Sequence, residues 1–288
     1  GPYLAKHDDN PIPPLLDLPK LLGAAERVGC DDDTDEDLRL LLAPGSSLGG
    51  ARPKASVRDR NGKLAIAKFP HRDDEIDTVR WEAVALTLAA KAGITVPDWR
   101  LETIGDRHVI LLARFDRQDE QRIPFLSAMS MLGAIDHEVR SYLEFVDALR
   151  QHGAAPKADM HELWRRIVFS ILISNTDDHL RNHGFLYEDT SGWRLAPAYD
   201  LNPVPVDIKP RVLSTAIDLD DPTASLDLAL SVADYFELGA EEARQVAREV
   251  ATATATWRAE AAALGISQSD VNRMASAFEH VDLDAASS

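Results

Sequence analysis

The sequence carries one cysteine in 288 residues. Cys30 has no partner for an internal disulfide, so packing alone must hold the chain, and a reducing cytoplasmic compartment is expected. No apolar run reaches the roughly 18 residues that a membrane helix needs, so no membrane partner is expected. No signal peptide is visible in the polar, proline-rich first residues. Positive charge is scarce: 31 Lys and Arg stand against 48 Asp and Glu, for a net charge of −17. Such a chain repels phosphate backbones, so DNA contact is expected only indirectly, through a partner. Much of the acid sits in residues 31–37 and reads as a solvated loop and helix start. There is no internal repeat and no low-complexity linker. What remains, 45% hydrophobic and 27% charged, is an ordinary soluble globular composition with room for two lobes.

What is present concentrates in residues 171–182, Ile-Leu-Ile-Ser-Asn-Thr-Asp-Asp-His-Leu-Arg-Asn. An apolar helix pattern (Ile167, Val168, Phe169, Ile171, Leu172, Ile173) stops at Asn175, Asp177, Asp178, His179, Asn182 and His183. Core building has no use for so many polar groups in nine positions. Asp177 and Asn182 stand five apart, the spacing of the kinase loop H-R-D-x-x-x-x-N, whose Asp accepts a hydroxyl proton and whose Asn holds magnesium. Asp200 ends the short strand pattern 197–201 and offers the second metal-carrying carboxylate such a site needs. Asp-rich loops also serve as caps and turns, so this reading depends on finding the other parts. His179 and His183, at i and i+4, allow a rival zinc site, although no Glu base lies between them and the helix pattern ends near Ser174.

The other parts are present. Gly45-Ser46-Ser47-Leu48-Gly49-Gly50-Ala51-Arg52-Pro53-Lys54 is a loop whose backbone amides can approach an anion closely. A hairpin follows, turning at Asn61-Gly62 and ending in Lys68. A lysine in an alternating apolar strand wants a partner. Glu82, 14 residues on, lies within an amphipathic helix expected over 74–91 and is the candidate. Strands are expected over 97–103 and 108–115, giving a five-stranded small lobe with one helix. Residues 110–117 pass from apolar to charged, where a β-rich lobe would hand over to a helical one. Helices are expected over 141–152, 159–174, 226–236, 240–264 and 268–278, with a hairpin at 183–196 and an irregular, substrate-facing stretch at 203–226 that contains Lys209 and Arg211. The expected class is therefore α+β, a two-lobed protein-kinase-like fold. Residues 1–44 would form an arm and helix, 45–117 the small lobe with its Gly-rich loop, and 118–288 the helical lobe with the catalytic loop.

Assembled in this order, the motifs resemble the HipA family of bacterial serine/threonine kinase toxins. The resemblance rests on Ser47-Leu48-Gly49-Gly50-Ala51-Arg52-Pro53-Lys54, Ile66-Ala67-Lys68, Ala113-Arg114-Phe115-Asp116-Arg117, Asn175-Thr176-Asp177-Asp178-His179-Leu180-Arg181-Asn182 and Pro197-Ala198-Tyr199-Asp200, and covers roughly residues 40–280. It implies ATP and Mg²⁺ as cofactors. Asp177 would deprotonate the substrate hydroxyl, Asn182 and Asp200 would hold Mg²⁺, and Lys68 would contact the α- and β-phosphates. Gly49, Gly50, Ala51, Arg52 and Lys54 would face the phosphates, Ala113, Arg114 and Phe115 the adenine, and His179 and Tyr199 the nucleotide. Ser47, or Ser46 beside it, would be autophosphorylated, placing a dianion where ATP phosphates bind. The implied partners are a helix-turn-helix, HipB-like antitoxin and a protein substrate, an aminoacyl-tRNA synthetase. Full-length relatives carry about a hundred more residues ahead of the loop, so a short form whose N-terminal subdomain is a separate protein, or a truncation, is expected. Two rival functions use the same residues: a small-molecule kinase on the same fold, and a catalytically quiet module that binds an antitoxin.

Overall fold

A computed structural model describes residues 12–41, 52–118, 121–136 and 138–288. Ser46, Ser47, Gly49, Gly50 and Ala51 lie outside the described residues. The chain forms two compact units of mixed helix and sheet. The smaller takes the described residues up to Ala83 together with Pro97–Arg122; the larger takes Val84–Val96 and Ile123–Ser288.

In the smaller unit, helix α1 (Leu18–Val28) buries Leu18, Leu21, Leu22 and Ala25, one face at helical spacing. Pro19 sits in its first turn, where a missing N–H costs nothing. Helix α2 (Asp35–Leu41) begins inside the acidic run: Thr34 and Asp37 cap each other, with Asp37 N–H donating to Thr34 Oγ1 at 3.2 Å and Thr34 N–H donating to Asp37 Oδ2 at 3.0 Å. Strands β1 (Lys54–Arg58) and β2 (Leu64–Lys68) form the expected hairpin, with Gly62 at φ 76° in its turn. Helix α3 (Thr78–Lys91) starts four residues later than its apolar pattern, because the Asp77 carboxylate accepts from the Arg80 N–H at 3.0 Å and caps it there. Strands β3 (Trp99–Ile104) and β4 (Arg107–Ala113) complete an antiparallel sheet in the order β1-β2-β4-β3. Among the described residues this sheet has four strands, not the five expected. The alternation ends at the charged Arg114-Phe115-Asp116-Arg117, and the chain turns into a separate short hairpin, β5 (Arg117–Gln118) with β6 (Gln121–Arg122). Ala55, Val57, Ala65, Ala67, Val109 and Leu111 share one face and pack with α1. Lys68 therefore points to the opposite face, where α3 meets it.

The larger unit is built on α6. Strand β7 (Phe125–Ser127), helix α4 (Ala128–Met131) and helix α5 (Tyr142–His152) precede it, α5 entered through a capping box between Ser141 and Glu144. Helix α6 (Pro156–Leu172) buries Leu163, Trp164, Ile167, Val168, Phe169, Ile171 and Leu172, apolar on nearly every side, as a central helix must be. Strands β8 (Gly184–Tyr187) and β9 (Trp193–Leu195) join β7 in an antiparallel sheet. Helices α7 (Leu226–Ser231), α8 (Ala240–Thr254), α9 (Trp257–Ala263), α10 (Gln268–Arg273), α11 (Ala275–Phe278) and α12 (Val281–Ala286) complete the unit. The helix expected over 240–264 breaks at residues 255–256, where the Thr256 hydroxyl bonds back to the Ala253 carbonyl at 2.8 Å. Residues 84–96 also lie in this unit, held by Arg165 on the Ala92 carbonyl (2.9 Å), Lys91 on Glu260 (2.5 Å) and the Thr95 N–H on Glu162 (3.1 Å).

Candidate active site

Each unit presents its own set of groups. In the smaller unit, Lys68 Nζ lies 2.6 Å from Oε1 of Glu82, which is buried in α3. The expected strand-to-helix pair is formed. Lys54 stands directly opposite Lys68 in the β1–β2 register, so their side chains share a face. Arg52 pairs with Asp74 at 2.5 Å, and Asp74 also accepts from the His71 N–H at 2.9 Å.

The segment 113–115 is more heavily committed than its sequence suggests. The Ala113 N–H donates to the Asp98 carbonyl at 2.8 Å and the Arg114 N–H to the Leu64 carbonyl at 3.0 Å. The Arg114 guanidinium forks onto both oxygens of Asp116, at 2.8 and 2.7 Å. Burial would raise the Asp116 carboxyl, but Arg114 and Arg117 outweigh it and hold it below the usual carboxylate range. The Arg114 side chain therefore braces the exit from the sheet.

In the larger unit α6 ends with Ser174 in left-handed backbone (φ 53°), which swings the chain into the polar loop. The loop hangs on Asp178, not on Asp177. Asp178 is buried; its Oδ2 accepts from the Tyr142 hydroxyl (2.6 Å) and the Ser170 hydroxyl (3.0 Å), and its Oδ1 lies 2.9 Å from His183 Nε2. Burial pushes the Asp178 carboxyl up, and the His183 charge with the hydrogen bonds from His183, Tyr142 and Ser170 pulls it below the ordinary range. Burial first, then the Asp178 charge, pushes the Tyr142 phenol well above its ordinary value. The Thr215 hydroxyl adds a bond to the Asp178 carbonyl at 2.8 Å. His183 also packs edge-on against Tyr142 and Phe145. It is thus a core group tied to Asp178, and among the described residues no cluster of three or more His, Cys, Asp or Glu forms a metal site. With the loop pinned on both sides, Asp177 points outward, its side chain 64% exposed.

Asn182 is buried and donates its amide to the Asp177 carbonyl at 3.0 Å. Asp200 has left-handed backbone at φ 60°. Asn202, two residues on, donates to Asp200 Oδ1 at 3.1 Å, and its own N–H donates to Asn175 Oδ1 at 3.2 Å. Asn175 reaches Ser170 Oγ at 3.3 Å. One hydrogen-bonded chain, Asp178–Ser170–Asn175–Asn202–Asp200, therefore connects the loop to the second carboxylate. Tyr199 donates to the Arg181 carbonyl at 2.8 Å, and burial together with the Asp200 charge pushes its phenol above its ordinary range. The roles of Asn175 and Asn202 are absent from the sequence reading: Asn175 stands out only as one of a polar cluster, and Asn202 only by following Asp200 closely.

Asn182 and Asp200 supply oxygen donors, one amide and one carboxylate. That set is too small for a cage and suits Mg²⁺ shared with nucleotide phosphates. Among the described residues the buried Asn202 Oδ1, Thr176 Oγ1 and His179 Nδ1 have no hydrogen-bond partner, and neither do buried atoms of Thr254 and His280. The oxygen donors of Asn182 and Asp200 fit the metal.

The model of the HipA-like C-terminal domain family matches residues 46–257. A Haemophilus influenzae protein provisionally named a kinase is 28% identical over 134 residues, 41% of this chain and 39% of that protein. A Sinorhizobium fredii protein with the same provisional name is 28% identical over 181 residues, 54% of this chain and 41% of that protein. The chain thus spans less than half the length of these curated relatives. Among solved structures, HipA of the Shewanella oneidensis toxin–antitoxin system, in complex with HipB and operator DNA, aligns over 99% of this chain and 73% of its own with a TM-score of 0.69 at 18% identity. The Helicobacter pylori proinflammatory kinase CtkA aligns over 85% and 94% with a TM-score of 0.64, also at 18% identity. These likenesses establish a kinase-like α+β fold.

Proposed function

The chain belongs to the HipA-like C-terminal domain family, and from that premise we propose that it is a Mg²⁺- and ATP-dependent protein serine/threonine kinase, the toxin of a HipA-type toxin–antitoxin module. The observation that carries this reading is the loop 174–182. Every anchor in it is buried, and the one exposed carboxylate, Asp177, stands five residues before an amide oriented by its own carbonyl. A scaffold would have no need of so many buried hydrogen bonds to present an exposed carboxylate whose one ion-pair partner is Lys209. Asp177 takes the proton of a serine or threonine hydroxyl as its oxygen forms a bond to the γ-phosphorus. The bond from that phosphorus to the β,γ-bridging oxygen breaks, and ADP leaves with the electron pair. Lys68, aimed by Glu82, holds the α- and β-phosphates. Asn182 and Asp200 would hold Mg²⁺, which supplies charge neutralisation at the phosphates. Catalysis is mostly positioning.

Autophosphorylation at Ser47 or Ser46, a helix-turn-helix antitoxin like the HipB of the Shewanella complex, an aminoacyl-tRNA synthetase substrate and a cytoplasmic location belong to the same proposal. The test is intact mass after incubation with Mg²⁺ and ATP, beside Asp177→Asn. A gain of phosphate in the wild type and none in the variant is expected. Wild type that binds ATP but transfers phosphate to neither itself nor a protein acceptor would overturn the protein-kinase reading.

A further inference from the structure

Lys209 lies in the irregular stretch after Asp200, yet it is placed with care. Its Nζ is 3.5 Å from Asp177 Oδ1 and 3.3 Å from the Thr176 carbonyl. It ends a tight turn in which the N–H groups of Ile208 and Lys209 both donate to the Pro205 carbonyl, at 3.0 and 3.2 Å. Just before the turn, the Val204 N–H donates to the Ser174 carbonyl at 3.2 Å. Just after it, Arg211 donates to Ser174 Oγ at 3.1 Å and to the Ile171 carbonyl at 3.0 Å, and pairs with Asp282 at 2.6 Å. The same end of α6 that launches the Asp177 loop thus fixes the backbone on both sides of Lys209.

An ion pair this open contributes little stability. Both side chains are substantially exposed, 39% for Lys209 and 64% for Asp177. The fixed backbone therefore calls for another use of the cation. An ammonium has three N–H donors. The Thr176 carbonyl and the Asp177 carboxylate face two of them, and the third is left for an anion. In phosphoryl transfer, charge spreads over the equatorial oxygens of the moving group, which is then bonding to the very oxygen whose proton Asp177 takes. With Asp177 as the proton acceptor of the proposed reaction, a cation 3.5 Å from its carboxylate would stand on the acceptor side of the transfer.

We propose that Lys209 is a further catalytic residue: its ammonium contacts the γ-phosphoryl group as that group passes to the acceptor hydroxyl, while Asp177 takes the proton. Lys209 itself neither gains nor loses a proton, and the bonds made and broken are those given above. The inference rests on the proposed kinase reaction and deepens it.

The test compares wild type, Lys209→Met, Lys209→Arg and Asp177→Asn, with phosphate transfer to the chain itself and to casein as the readout. ATP affinity by calorimetry and the melting temperature are measured alongside. Lys209→Met is expected to lower the transfer rate about 100-fold, the scale for removing one donor aimed at developing charge. ATP affinity and melting temperature should hold, and Lys209→Arg should recover at least a tenth of the rate. Lys209→Met within about twofold of the wild-type rate, with Asp177→Asn inactive, would overturn the role of Lys209 and leave the kinase standing. A rate loss matched by lost ATP affinity or a lowered melting temperature would make Lys209 a structural tether and overturn the inference too. No transfer by the wild type would overturn the kinase reading, and this inference with it.

Discussion

Asp178→Ala is the most telling single change in the larger unit. The carboxylate is buried and surrounded by three groups, the Tyr142 hydroxyl at 2.6 Å, the Ser170 hydroxyl at 3.0 Å and His183 Nε2 at 2.9 Å. Truncation removes the acceptor of both hydroxyls and the charge partner of buried His183. Each buried group left unsatisfied costs about 1–3 kcal/mol, so the unrelaxed sum is about 3–9 kcal/mol. The space vacated by the carboxylate can admit water, and the Ser170 hydroxyl can rotate, so the lower part of that range applies: about 3–5 kcal/mol, as for breaking a buried pair from one side. Urea unfolding followed by tryptophan fluorescence reads this, because Trp164 is fully buried in α6, the helix that also carries Ser170. Ser170→Ala, which deletes one donor and leaves the acceptor, should cost about 1 kcal/mol. The pH dependence gives an independent reading. The Asp178 carboxyl is held below its ordinary range, so its contribution is complete above about pH 4, the unfolded value, and is lost as pH falls through the folded value. Wild type should therefore lose stability on acidification more steeply than Asp178→Asn. A loss below about 1 kcal/mol for Asp178→Ala, or parallel acid slopes for wild type and Asp178→Asn, would refute the claim that this carboxylate holds the loop.

Gly184→Ala should destabilise the larger unit by about 1–3 kcal/mol, the cost of overpacking, since a Cβ there would sit 2.3 Å from Phe125 Cε2 and 3.3 Å from the Tyr199 hydroxyl; an unchanged denaturation midpoint would show that Phe125 yields freely. Glu82→Gln should leave the fold intact and lower phosphate transfer at limiting ATP about 100-fold, because Lys68 loses the charged partner that aims it; wild-type kinetics would remove the pair from the mechanism. Asn202→Ala should raise the Mg²⁺ concentration for half-maximal transfer about 10-fold, the usual effect of deleting a partner that orients a ligand; an unchanged Mg²⁺ titration would make Asn202 a backbone prop only.

Local spacing carried most of what the sequence revealed. Lys68 and Glu82 are 14 residues apart; periodicity put one on a strand and the other on a helix, and the cost of an unpaired lysine in an apolar strand joined them. Asp177 and Asn182 share one loop, so their relation is set by the loop itself. The groups that hold this loop come from far along the chain: Tyr142 is 36 residues before Asp178, and Asn202 is 27 beyond Asn175. No periodicity encodes such contacts, which arise only when α5, α6 and the segment after β9 pack. His183 illustrates the opposite risk. Its i+4 spacing from His179 suggests one face of an α-helix, but only a single 3-10 turn, Leu180–Asn182, lies between them, and the ring turns into the core. The Arg114 fork onto Asp116 spans the turn between β4 and β5, a contact that strand periodicity does not encode.

The larger unit is discontinuous in the chain, and this has a consequence for how it is made. Residues 84–96 belong to it, but residues 97–122, with β3 and β4, are synthesised before the rest of it follows. On the ribosome the stretch 84–96 emerges early and must wait for Glu162, Arg165 and Glu260 before its bonds can form. The smaller unit, by contrast, has its whole sheet available once Ala113 has been added. A gene fragment that begins at residue 123 would encode the unit without those residues, leaving buried Leu86, Leu88 and Ile94 unaccounted for. Any effort to dissect the protein into separately folding pieces has to carry this strip along, for instance by grafting it through a designed linker.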